Sequence, residues 1–132
     1  MEYLRSNYDK TISDKQLCRS LIDQLSMHTQ KSVHLAYLGA FQAIWANHTY
    51  NPFSKLSSFN KGKNNIEKAV KADPGNVEIR MLRLSVQRNC PGFLGYNSNI
   101  KDDTAFLNEN INSITSPALQ KMAALLLTNA SK

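Results

Sequence analysis

From Ser32 to about Asn47 nearly every position is apolar, and the apolar residues sort by size. At about 100° per residue, Ala36, Gly39, Ala40, Ala43 and Ala46 fall on one side of a helix. Val33, Tyr37, Leu38, Phe41, Ile44 and Trp45 fall on the other. The small side admits a neighbouring helix backbone and the large side fills a core. A helix without a wide polar face is buried on several sides, so this segment is predicted as the central helix.

The flanking segments are amphipathic. Tyr3, Leu4, Tyr8 and Ile12 predict a short helix over residues 2–12. Ser13 and Gln16 form a Ser-x-x-Gln capping box for a second helix, with Leu17, Leu21, Ile22 and Leu25 as its stripe, running to about Met27. Asn51-Pro52-Phe53 restarts the helical pattern after the central helix, with Asn as cap and Pro at the first helical position. Leu56, Phe59, Gly62, Ile66, Ala69 and Val70 then line one face up to Ala72, opposite Lys61, Asn64, Asn65, Lys68 and Lys71. Asp73-Pro74-Gly75-Asn76 stops that helix and Asn76 caps the next, which spans Val77 to about Asn89.

Cys90 to Tyr96 reads as a loop folded back onto the core, because it carries Phe93, Leu94 and Tyr96 among its breakers. Asn99 is the predicted cap of a helix with Ile100, Leu107, Ile111 and Ile114 inside, and Ser116-Pro117 starts a last helix striped by Leu119, Met122, Ala123 and Leu126. No stretch sustains period-two alternation. The pattern therefore predicts an all-α domain over residues 1–132, a stack of antiparallel helical hairpins built from about six helices.

At Gly62, Ile66, Ala69 and Pro74 the spacing resembles the second half of a tetratricopeptide repeat, and Leu35, Leu38 and Gly39 resemble its first-helix positions. The Gly39-to-Gly62 spacing is about 11 residues longer than that repeat gives, and Arg83-Leu84 stands where the next repeat has Leu-Gly. Asn51-Pro52-Phe53-Ser54-Lys55-Leu56, Val77 to Arg83 and Pro91 to Tyr96 are similar to a Bacteroidetes family of small tetratricopeptide-like proteins, over about residues 33–107. The resemblance implies a right-handed α-α superhelix and, since many members begin with an export signal, a compartment. It carries no functional residues.

Charge changes the picture locally. The net charge is +6, and Phe53 to Arg88 holds eight basic residues against three acidic. Arg80, Arg83 and Gln87 form a stripe on the first helix of a hairpin, the element that lines the concave face of a repeat stack. One reading is a grip on an acidic peptide or on the C-terminus of another protein, with Lys61 and Lys68 contributing to the same partner site. The other is structural, with Arg80 and Arg83 paired to Glu78, Asp73 or Asp102. Nucleic acid through residues 53–88 is the second partner class, ranked lower because no aromatic residues interleave with the lysines. The apolar end from Leu119 to Leu127 suits closure of the core or a two-fold dimer.

Catalytic and cofactor chemistry finds no support in the pattern, and a non-catalytic interaction or assembly module is expected. His28, His34 and His48 lack metal-ligand spacing, and Asn97-Ser98-Asn99 lacks the glycine of a calcium loop, with Asp102 in its place. No phosphate-cradling loop or nucleophile elbow occurs. Cys18 and Cys90 read as two thiols or one disulfide. No apolar run reaches membrane-span length. The N-terminus lacks a signal pattern, which points to a cytoplasmic protein, or to a periplasmic or secreted one whose signal has been trimmed.

Overall fold

A computed structural model describes residues 1–128. Among them there are eight α-helices and no strand: α1 Glu2–Asn7, α2 Lys10–Ser13, α3 Lys15–Leu25, α4 Ser32–Trp45, α5 Pro52–Ala72, α6 Val77–Asn89, α7 Ile100–Asn110 and α8 Pro117–Thr128. Short 3-10 turns follow α4, α6 and α7, at Ala46–His48, Gly92–Leu94 and Ile111–Ser113. The seven segments laid out by the pattern become eight helices because the N-terminal one breaks after Asn7, at Tyr8 and Asp9, into α1 and α2. Tyr8 itself is buried.

Three of the five predicted caps form, at Asn51, Asn76 and Ser116. The Asn51 side chain accepts from the amides of Phe53 at 2.8 Å and Ser54 at 3.3 Å, directly before Pro52. Asn76 accepts from Ile79 at 3.1 Å, and Ser116 from Leu119 at 3.3 Å. Two starts differ from expectation. Asp14, not Ser13, caps α3 by accepting from the Leu17 amide at 3.0 Å, because Ser13 is still inside α2. Asn99 precedes α7 without forming a capping bond, because Gln87 takes its amide oxygen.

α4 is central: α2, α3, α5 and α6 all pack against it. Its closest neighbour is α5, and the approach is set by two glycines. A Cβ added at Gly39 would lie 2.6 Å from the Gly62 carbonyl oxygen and 2.9 Å from the Ile66 amide nitrogen. A Cβ at Gly62 would meet the Gly39 carbonyl oxygen and lie 2.8 Å from the Ala43 amide nitrogen. The large side of α4 is filled by Tyr37 and Phe41, which pack with Tyr8 as an aromatic trio at centroid distances of 5.8 to 6.3 Å. α8 turns Leu119, Met122, Ala123 and Leu126 inward and leaves Leu125 exposed. Cys18 and Cys90 are separate free thiols. No helix among the described residues is long and apolar enough to cross a membrane.

Gly39→Ala and Gly62→Ala should each destabilise the protein by roughly 2 kcal/mol or more, because overpacking against backbone outweighs the helix-propensity gain of about 1 kcal/mol. Gly75→Ala, with nothing within 4 Å of an added Cβ, is the near-neutral comparison. Urea denaturation checks this; a stabilised Gly39→Ala would contradict the tight approach.

Candidate functional site

The predicted arginine stripe lies on α6, and α7 covers it. Arg83 is 6 % exposed and grips Asp103 with two parallel bonds, Nε to Oδ2 at 2.8 Å and Nη2 to Oδ1 at 2.9 Å. Its Nη1 donates to Glu67 on α5 at 3.1 Å. Arg80 donates to the same Asp103 at 2.6 Å and to the Pro74 carbonyl at 3.0 Å, and its guanidinium stacks 4.1 Å over the Phe106 ring. Gln87 exchanges two bonds with Asn99: its Nε2 donates to Oδ1 at 2.9 Å, and its Oε1 accepts from the Asn99 amide at 3.0 Å. Arg83 and Gln87 are thus buried within the fold and not open to a ligand.

The stripe's partners are not Glu78, Asp73 or Asp102. Asp103 and Glu67 take those roles, because the inward face of α7 is set by Asp103 and Leu107, both buried, while Asp102 faces solvent. Glu78 is occupied elsewhere, accepting from Arg5 of α1 at 2.8 Å through both oxygens and from Tyr37 of α4 at 2.5 Å. Tyr96 donates to Glu67 at 2.5 Å in a matching arrangement.

Electrostatics follow from burial. Desolvation works against the charge of Arg83, but the Asp103 bonds and carboxylate outweigh it and raise its pKa. Burial pushes the Tyr8 hydroxyl up to about 12. Burial and then Glu78 push Tyr37 up further, and burial and then Glu67 do the same for Tyr96. The Cys18 thiol is pushed up to about 12 by burial, and Cys90 rises for the same reason. Neither cysteine is an activated nucleophile.

Lys61 and Lys68 are exposed, on a face of α5 different from that of Glu67, so the fold does not bring them to the stripe. No group of three or more His, Cys, Asp or Glu gathers among the described residues, and His48 is bound through Nε2 to the Thr11 carbonyl at 2.7 Å.

The surface that stands open is different. A cleft of about 670 Å³ lies between α2, the end of α4, the start of α5 and the end of α6 with its following 3-10 turn. Ala43 and Ala46 line it together with Phe59 and Val86, while Ile12, Leu56 and Phe93 stay half or more exposed in its lining. Phe93 is 88 % exposed, so the 90–96 loop is only partly folded back: Tyr96 is buried and Phe93 is not. Lys55 is the single charged residue of the lining, and its Nζ donates to the Ala46 carbonyl at 3.2 Å. Periodicity places Ile12 and Leu56 on core faces. It gives no warning that the N-terminal turns of α5 extend past their covering helix.

Comparison with family models, curated proteins and solved structures finds no match to this protein.

Two predictions follow from the buried polar groups. Arg83→Met removes two of the three bonds to the buried Asp103, leaving the one from Arg80, and should cost about 3 kcal/mol; a double-mutant cycle with Asp103→Asn should show a coupling of more than about 1 kcal/mol, and strict additivity would refute a structural role for the pair. Tyr8, Tyr37 and Tyr96 all have raised folded-state pKa values. Their contribution is fully present below about pH 10, the unfolded value, and is lost as pH rises through the folded values. Urea midpoints should therefore hold level to about pH 9 and fall above 10, with tyrosinate absorbance rising in step with unfolding; tyrosinate forming before unfolding would contradict the burial.

Proposed function

We propose that this protein is a non-catalytic protein-binding module and that its binding site is the apolar cleft, not the arginine stripe. The observation that carries the reading is the set of apolar side chains, Ile12, Leu56 and Phe93, left exposed around a 670 Å³ cleft. Monomeric proteins rarely keep such a patch without a use. The volume lies in the range of built binding sites.

The occupant we propose is one face of a partner's amphipathic helix, with apolar residues at i, i+3, i+4 and i+7 and a carboxylate opposite Lys55. Charge complementarity selects the carboxylate: the lining holds one cation and no acid. The reading keeps an acidic protein partner and moves it from α6 to the α4–α5 end. We further read the α4–α5 and α6–α7 pairs as degenerate hairpins of a tetratricopeptide-like right-handed stack, in which binding by grooves between helices is the expected use.

The test is selection from a displayed library of helical peptides with that apolar register and one variable charge. Glutamate-bearing sequences should be enriched. Leu56→Asp should abolish their binding with the helical signal intact, Lys55→Glu should shift selection to basic peptides, and Lys68→Glu should change nothing. Binding insensitive to Leu56→Asp, or capture of a free fatty carboxylate and no peptide, would overturn the reading.

A further inference from the structure

On the α3 side of the same helix pair lies a second groove of about 400 Å³, and its chemistry is opposite. The outward residues of α4 here are Gln42 and Trp45, facing Arg19 of α3 and Phe53, Ser57 and Lys61 of α5. Lys15 and Arg19 each place their charge 5.5 Å from the centroid of the Trp45 ring. Asp23 answers Arg19 at 3.3 Å, and neither Lys15 nor Lys61 has an ion pair among the described residues. Two cations therefore flank the indole with one carboxylate beside them, and a third, Lys61, lines the same groove. Phe53 is 85 % exposed beside them.

In sequence no aromatic residue interleaves with Lys61, Lys68 and Lys71. The fold brings Phe53 from the start of α5 and Trp45 from α4 to the groove that Lys61 lines. A cationic groove with an exposed Phe53 ring, hydroxyls and a partly buried Trp45 in its wall has the elements of a single-strand binding platform, in which charges hold phosphates and a π-face takes a base.

We propose that this groove binds single-stranded nucleic acid, with the exposed Phe53 stacking on a base, Trp45 forming the wall beside it, and Lys15, Arg19 and Lys61 holding the backbone phosphates. The site is independent of the cleft and does not rest on the peptide reading. A lipid surface fits less well, since Ser54, Ser57 and Ser58 make the α5 wall of the groove polar.

Trp45 is the single tryptophan of the sequence, so its emission reports on this groove alone. Titration with oligouridine or oligothymidine of about 12 nucleotides, a length typical of stacking sites, should quench Trp45 saturably at low salt. A duplex of the same length should bind more weakly. With three cations engaged, log affinity should fall against log salt with a slope of about −2. Phe53→Ala and Lys61→Glu alter exposed side chains and should each weaken binding roughly tenfold, the scale of one lost stack or more, while Leu56→Asp in the cleft leaves it unchanged. Absence of quenching at low salt would overturn the proposal. So would equal affinity for heparin with no effect of Phe53→Ala, or quenching by phosphatidylserine vesicles and by no oligonucleotide.

Discussion

The backbones of α4 and α5 touch at Gly39 and Gly62, where a single methyl group on either side would collide with main-chain atoms. Such contact is possible only because the facing side of α4 is a run of small residues, Ala36, Ala40 and Ala43, and because α5 answers with Gly62 and Ala69. Close packing of this kind gains dispersion energy along the full crossing but leaves no slack, so the orientation of the pair is fixed. The consequences continue toward the α4–α5 turn. There the small residues Ala43 and Ala46 line one recess, the apolar cleft, and Gln42 and Trp45 line the other. The two surfaces differ in chemistry because they lie on opposite sides of one tightly set helix pair.

A buried polar frame complements this apolar contact. Arg5, Glu78 and Tyr37 join α1, α6 and α4, while Arg83, Asp103, Glu67 and Tyr96 join α6, α7, α5 and the loop before α7. Every buried side-chain nitrogen and oxygen among the described residues has a partner. Buried ion pairs contribute little net stability over apolar replacements, but they penalise wrong packings heavily, since a displaced helix would strand a charge. In this protein the two clusters specify which helices meet, and the arginine stripe belongs to that function of the fold.

The helices, the central place of α4 and the close approach along its small side were legible in the sequence, because period and residue size are local properties. Caps at Asn51, Asn76 and Ser116 were legible for the same reason. The break at Tyr8 was not, since a buried aromatic anchored by Phe41 and Tyr37 overrides a weak periodic signal. The fate of Arg83 was ambiguous: an arginine on a helix looks alike whether its carboxylate comes from a ligand or from Asp103, twenty residues away. Both grooves lay beyond sequence reasoning. The cleft needs Ile12, Leu56 and Phe93 from three segments, and the basic groove needs Trp45 beside Lys61, pairings that only the tertiary fold makes.

If the glycine contact organises the molecule, the α4–α5 pair must be the last part to open. Native-state amide hydrogen exchange measures this directly. Amides around Gly39 and Gly62 should exchange only through global unfolding, and those of α1, α2 and the 3-10 turn at Gly92–Leu94 through smaller openings. Exchange at Gly39 and Gly62 by local opening, while α6 and α7 stay protected, would contradict that order of opening.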